Sequence, residues 1–286
     1  MIANFIDGLT NYQFLQNALI TSLLVGFVAG IIGTFIILRG MSLMGDAISH
    51  AVLPGVAISY MFSFNYVIGA SFFGVLTAVL IGFITEKSTL KNDTAIGIVF
   101  SSFFALGVIL ISFAQSATDL YHILFGNVLA VRDSDMILTA VVTVISLVFI
   151  LLFFKELQLT SFDPVMAKAA GLPVKFFHYA LMFLLTLVAV VSLQTVGTIL
   201  VISMLITPAA TAYLLTNNLK IMMCLSALIG MLSSFIGLFF SYSYNLASGA
   251  TIVLTAAVFF VIAFLFAPQK GILIRRKLEK DSEKVV

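Results

Sequence analysis

Apolar residues run along this chain in long, uninterrupted blocks. Cutting the sequence at every Asp, Glu, Lys and Arg leaves six long uncharged stretches: 8–38, 47–85, 94–118, 136–154, 176–219 and 221–269. About 20 mainly apolar residues are enough for a helix to cross the hydrocarbon core of a bilayer. The stretches 94–118 and 136–154 each hold one crossing. The first holds one, from about Phe14 to Leu38, after a short amphipathic lead from Ile2 to Tyr12. The remaining three are each long enough for two, with breaks expected at Ser63–Tyr66, around Gln194–Gly197 and at Tyr242–Gly249. This makes nine candidate crossings. The one that begins near Gly45 is the irregular member, because it is short and carries Asp46, His50 and Pro54; without it the count is eight. The pattern predicts an all-α, polytopic helical membrane protein of eight to nine transmembrane helices, with a single transmembrane domain over 1–286.

Composition agrees. Hydrophobic side chains make up 62% of the 286 residues and charged ones 9%, where soluble chains carry roughly 25% charged residues. The net charge of +2 is spread without a basic stripe, which excludes nucleic acid as a partner and leaves membrane lipid as the surroundings. Cys224 is the single cysteine, so no disulfide framework exists; it reads as a small buried hydrophobe. Trp is absent, and the interfacial aromatic belt falls to the 8 Tyr and some of the 28 Phe. The first residues hold Asp7 and no Lys or Arg, so no signal peptide is expected.

Lys and Arg in short loops set orientation. The tail 268–286 holds Lys270, Arg275, Arg276, Lys277, Lys280 and Lys284 and is expected in the cytoplasm. Nine crossings then place the N-terminus outside, and put Arg39, Lys87, Lys91, Lys155, Lys168, Lys175 and Lys220 inside. The loop 117–135, with Asp119, Asp133 and Asp135 against Arg132, falls outside. No segment is long enough for a soluble nucleotide-binding domain.

Two constellations carry chemistry. The first runs from Arg39 through Gly45 and Asp46 to His50, Pro54 and Gly55. Ionisable groups in apolar segments are expensive and mark a pathway or a partner. Asp46 and His50 are four apart, on one face of a helix. Carboxylate with imidazole suits a borderline divalent metal such as Mn, Fe or Zn, and a homodimer with this helix at its axis would supply two of each. The bland alternative is that Asp46 caps a helix after Gly45 and His50 is merely hydrogen-bonded. The second constellation is cytoplasmic. Ser161 or Asp163 can cap a helix with Pro164 at its first position, and Gly171 with Pro173 ends it. A two-turn capped helix between spans is a handle for a partner, or an ordinary ordered loop.

Weaker signals are His122 with Gly126 and Asn127 in the outer loop, His178 beside Lys175 at headgroup level, and Thr207-Pro208 inside a span, where a kink with close packing or a pore lining both fit. The methionines are scattered as core filling. No Gly-rich phosphate loop, His-Glu-x-x-His or Ser/His/Asp arrangement is present, so catalysis has no visible place.

At these residues the sequence resembles the permease subunits of bacterial manganese, zinc and iron ABC importers, and among them the manganese permeases of Gram-positive bacteria. The resemblance covers essentially the whole chain. It runs from Phe14 and Asn17 through Arg39–Gly55, Asp93–Gly97, His122–Asn127 and Ser161–Asp163 with Gly171–Pro173 to Met204–Thr211. It implies a homodimeric importer-permease fold in the bacterial cytoplasmic membrane, driven by two copies of a separate ABC ATPase and fed by an extracellular metal-binding lipoprotein. The chain itself would hold no cofactor; Mn(II) would be the transported ion, with Zn(II) or Fe(II) as alternatives. By the same resemblance Asp46 and His50 form the intramembrane metal site. The segment of about 161–171, with Ser161, Phe162, Asp163, Ala167 and Gly171, is the coupling helix that docks on the ATPase. A stand-alone secondary cation transporter or channel using Asp46 and His50 as a relay is the alternative from another class. It should show inverted repeats with broken helices, and no convincing repeat is visible.

Overall fold

A computed structural model describes residues 2–114, 128–268 and 270–272. The His122–Asn127 motif and the basic residues from Arg275 onward lie outside the described residues. Within them the fold is all-helical: α1 (Ile2–Asn11), α2 (Gln13–Leu38), α3 (Met44–Ala51), α4 (Leu53–Met61), α5 (Tyr66–Lys87), α6 (Asn92–Ala114), α7 (Asp133–Leu152), α8 (Phe154–Phe162), α9 (Pro164–Ala169), α10 (Val174–Val196), α11 (Thr198–Leu215), α12 (Leu219–Tyr244) and α13 (Ser248–Phe266), with a 3₁₀ turn at Val128–Ala130 before α7.

Eight of these helices, α2, α5, α6, α7 and α10 to α13, are long and apolar enough to cross a membrane. Contacts at their ends sort them into two poles. At the acidic pole Asp133 at the start of α7 accepts from Asn17 Nδ2 (2.6 Å) near the start of α2. There too Gln194 at the end of α10 donates to Tyr66 at the start of α5 and to Asp135. At the basic pole Arg39 after α2 reaches Thr160 and Ser161 at the end of α8, Lys175 of α10 pairs with Glu86 of α5, and Lys270 Nζ donates to the Tyr213 carbonyl at 2.9 Å. Because α2 ends at the basic pole and α5 starts at the acidic one, residues 44–61 must travel the full thickness. At 1.5 Å per helical residue these 18 positions reach about 27 Å, close to the ~30 Å of a hydrocarbon core. The irregular crossing near Gly45 is therefore a passage broken into α3 and α4. Pro54 has no N–H for the His50 carbonyl, and the helix divides at Val52.

The other breaks fall where expected. Asn65 caps α5 through its side chain to Val67 N at 2.9 Å, Gly197 separates α10 from α11 at φ +82°, and Asn245 closes α12 in the left-handed region at φ 54°. The amphipathic lead is α1, whose buried Phe5 packs edge-on against Phe235, Phe239 and Tyr242 of α12. Two expectations are corrected. The segment 155–175, expected as a loop with one short helix in it, is largely helical from its start, because Phe154–Phe162 forms α8 with Leu157 fully buried. Cys224 is exposed; it lies one residue past Met223 on a helix whose buried side carries Met222, Met223 and Ser226.

The core forms around α2, most of whose apolar window is buried. Helices in lipid cannot associate by expelling water from apolar faces, so they rely on close approach between small residues. Ser22, Gly26 and Gly30 on α2 face Ser226, Gly230 and Ser234 on α12. Ser226 Oγ donates to the Gly30 carbonyl (2.8 Å) and Ser234 Oγ to the Ser22 carbonyl (2.9 Å). A Cβ on Gly26 would stand 2.6 Å from the Gly230 carbonyl oxygen. Gly26→Val and Gly230→Val should therefore each lower the melting temperature of the detergent-solubilised chain, since overpacking typically costs about 1–3 kcal/mol. Gly97→Ala, whose added methyl meets nothing within 4 Å, should leave it unchanged; equal melting of all three variants would contradict the packing.

Candidate functional site

Asp46 is the third residue of α3 and makes no capping bond; the N-cap position is Leu43. One turn on, His50 Nε2 stands 3.4 Å from Asp46 Oδ1. The pair is partly open, with side-chain exposures of 26% for His50 and 41% for Asp46. Phe100 and Phe104 of α6 wall the imidazole, with ring centroids at 5.8 and 5.6 Å. Phe100 and Phe104 sit about 12 and 18 Å along α6 from its basic-pole start, so His50 lies at mid-depth. The Nδ1 atom is buried without a hydrogen-bond partner. At this depth the pair offers a carboxylate oxygen and a ring nitrogen side by side, both side chains only partly covered. Among the described residues no third His, Cys, Asp or Glu joins them. Two donors from one chain are too few to hold a divalent ion, and the remaining ligands must come from elsewhere.

Close packing fixes α3 and α4 in place. Gly45 lies against Leu205 of α11, and Gly55 faces Gly69 of α5 backbone to backbone. Leu205 is thus a residue of α11 that touches α3. Thr207 is two positions on, about 200° round the helix, where its hydroxyl lies 3.4 Å from Ser203 Oγ. Pro208 is buried in the bundle. The structure does not bring Thr207 or Pro208 to the Asp46/His50 pair.

On the basic pole the cap is Asp163, whose carboxylate accepts from Met166 N at 2.8 Å. Ser161 and Phe162 belong to the last turn of α8, so the free-standing helix is α9 alone, shorter than the 161–171 segment expected. The residue before a proline disfavours helical backbone, and Asp163 sits at φ −143°, ψ 85°. Gly171, at φ +80°, ends α9. Its N–H donates to Lys168 O (3.1 Å) and that of Leu172 to Ala167 O (3.0 Å), the paired closure that needs a left-handed residue. Ala167 is fully buried and anchors α9, while Val165 and Met166 are 78% and 59% exposed, with Phe162 exposed beside them. The six-residue helix thus carries two exposed apolar side chains on the basic pole.

Sequence reasoning missed two groupings. Arg39, read as an orientation charge and as the start of the Asp46/His50 constellation but given no partner, is turned inward beside His178 and bonds Thr160 and Ser161 in a cavity of about 290 Å³; burial pushes its pKa down to about 10, still protonated at neutral pH. At the acidic pole, Gln194 bridges Tyr66 and Asp135 in a cavity of about 380 Å³ that Arg132 also lines. The only signal for either was a polar residue at the edge of an apolar run.

A multi-crossing bundle with an ionisable pair at mid-depth and a capped helix presented on its basic face has the build of a membrane transport subunit. The chain belongs to the ABC 3 transport family, whose pattern matches residues 11–267, and it is a multi-pass membrane protein of a bacterial transport system. It is 66% identical to the manganese transport system membrane protein MntC of Listeria monocytogenes over 96% of this chain and 98% of that one. It is 61% identical to the manganese import system permease protein ScaB of Streptococcus parasanguinis, over 94% of this chain and 96% of that one. Among solved structures, a chain of PsaBC from Streptococcus pneumoniae in complex with Fab matches with a TM-score of 0.86 at 60% identity, covering 94% of this chain and 98% of that chain.

The capping geometry has a direct check. Asp163→Ala removes an N-cap generally worth about 1 kcal/mol, so amide exchange at Met166 should speed up by roughly fivefold, while that at Leu185 in α10 stays as before. Unchanged exchange at Met166 would mean that the cap does not hold α9.

Proposed function

We infer that this chain is the membrane permease of an ABC manganese import system, and that Asp46 and His50 form the site through which the ion passes. The observation that carries the site assignment is the pair itself: a carboxylate and an imidazole on one face of a broken helix at mid-depth, 3.4 Å apart and partly exposed. A charge left there without a partner costs at least about 3 kcal/mol on insertion scales. The transported cation, shared between two copies of the pair in a homodimer, supplies that partner and completes a four-donor set. Manganese is favoured because MntC and ScaB, at 66% and 61% identity, are manganese proteins by name. Zn(II) and Fe(II) accept the same donors and are the alternative cargoes.

The basic pole faces the cytoplasm, as Lys87, Lys91, Lys155, Lys168, Lys175, Lys220 and Lys270 gather there, and the tail 268–286 continues it. Two copies of a separate ATPase dock on α9 of the two permeases, where Val165 and Met166 supply the apolar contact, Ala167 the anchor, and Asp163 and Gly171 the two ends. Ser161 and Phe162 flank this surface from α8. The acidic pole receives the metal from an extracellular lipoprotein. Thr207 is available to the pathway on the far side of α11, and Pro208 shapes that helix from within.

Uptake of radioactive manganese into vesicles that hold permease, ATPase and lipoprotein tests the site. Asp46→Ala and His50→Ala should each reduce ATP-dependent uptake by more than about 100-fold, beyond the 10- to 100-fold typical of residues that only support metal ligands, with assembly intact. Wild-type rates in both variants would place the site elsewhere, and competition by Zn and Fe in the same assay ranks the cargoes. The docking surface has its own measurement: Val165→Glu and Met166→Glu should abolish co-purification of the ATPase while the permease still inserts, and retained co-purification would remove α9 from that role.

A further inference from the structure

A long basic side chain at the end of a membrane helix ordinarily reaches out to water or headgroups. Arg39 does the opposite. It follows the last residue of α2 and turns under the bundle onto the final turn of α8. Its Nε donates to Ser161 Oγ at 2.9 Å and its Nη2 to Thr160 Oγ1 at 3.0 Å. Both hydroxyls donate their own hydrogens to the Leu157 carbonyl, at 2.6 and 3.2 Å, which leaves their lone pairs for the guanidinium. Among the described residues no carboxylate lies within 4 Å of it; Glu86, in the same cavity, is engaged by Lys175. Two neutral hydroxyls do not offset a half-buried cation. What they provide is direction, because a planar fork bonded to two adjacent residues has one orientation.

Both ends of this link are short and taut. Thr160 and Ser161 stand three and two residues ahead of Asp163, the cap of α9. On the other side Gly40, at φ +65°, and Met41 close α2: Gly40 N donates to Ile37 O (3.1 Å) and Met41 N to Ile36 O (3.0 Å). Met41 is buried, its carbonyl accepts from Met44 N (2.9 Å), and α3 begins there, two residues before Asp46. Arg39, Gly40, Met41 and Met44 each donate a backbone hydrogen bond, so only Ser42 and Leu43 separate the closure of α2 from the start of the metal-site helix.

We propose that Arg39 is a positioning residue of the transport cycle: through Thr160 and Ser161 it ties the docking helix to the helix bearing Asp46 and His50, so that displacement of one is transmitted to the other. The proposal rests on the docking and metal-site readings given above. Physical continuity alone does not establish coupling between sites, so the test measures coupling.

Three changes are compared in vesicles holding the complete complex: Arg39→Gln, Arg39→Lys, and the pair Thr160→Val with Ser161→Ala. ATPase co-purification, ATP hydrolysis and manganese uptake are read together. In Arg39→Gln and in the hydroxyl pair, uptake per ATP hydrolysed should fall about tenfold, within the usual range of coupling between sites, with hydrolysis and co-purification retained. Arg39→Lys should stay low, since one ammonium keeps the charge but cannot hold the fork. Combining Arg39→Gln with the hydroxyl pair should add less than about twofold, as two halves of one link do. The idea is overturned if uptake per ATP is unchanged in Arg39→Gln, if uptake and hydrolysis fall together at a constant ratio, or if the combined losses multiply. Should Arg39→Gln fail to insert, the hydroxyl pair, which leaves the arginine in place, decides alone by the same ratio. Failure of the docking reading shows up separately, as normal ATPase co-purification with the glutamate variants of α9.

Discussion

Between hydrocarbon tails there is no water to accept a hydrogen bond, so every N–H and C=O of a crossing segment must be satisfied within its own helix, and the helices must then find one another by shape. The seam between α2 and α12 is where this chain meets that requirement most fully. Small residues spaced by four on both helices bring backbone within reach of backbone, and two serine hydroxyls reach across to the facing carbonyls. With α2 held in this way, both of its ends become fixed points. Asn17 anchors α7 at the acidic pole, and Arg39 meets α8 at the basic one.

The same requirement explains why polar chemistry is confined to three levels. At the two poles, charged and amide groups bind helix ends together: Asp133 with Asn17, Asp135 with Gln194, and Glu86 with Lys175. The third level is mid-depth, and Asp46 with His50 occupies it on a passage that is itself interrupted. Pro54 divides this passage and Gly55 lets α4 lie against α5, so the pair sits on a short helix that ends at Ala51. A pair this exposed in an apolar layer fits an assembly whose other half, or whose cargo, covers it.

Function in such a subunit depends on carrying motion from a surface to a pathway. The surface proposed for docking is a helix too short to be stable alone, held by one aspartate cap, one left-handed glycine and one buried alanine. Its small size makes it a rigid contact with few internal degrees of freedom. The segment between Arg39 and Met44 is equally short, and the two meet at hydroxyls that belong to α8. Transport subunits of this build need no large moving domain of their own, since a partner that hydrolyses ATP can act on them through one stiff contact.

Much of this was legible in the residues. Uncharged runs located the long helices because charge is the most strongly excluded feature of a membrane interior, and the breaks at Asn65, Gly197 and Asn245 followed from turn chemistry. The four-residue spacing of Asp46 and His50, and the Asp163-Pro164…Gly171 frame of α9, are local patterns, and local patterns survive translation into structure. The folding of Phe154–Phe162 into α8 was not legible, since that segment is neither apolar enough for a span nor polar enough for a loop. Nor was the inward turn of Arg39: from sequence it is one more basic residue at a helix end. The rotation of α11 was not legible either: it sets Leu205 against Gly45 of α3, with Thr207 about 200° further round the helix. Sequence determined which segments cross and which residues are chemically able to act. Only the tertiary structure decided which of them meet, because the rotation of each helix about its axis and the partners at its ends are set by close packing between segments distant along the chain.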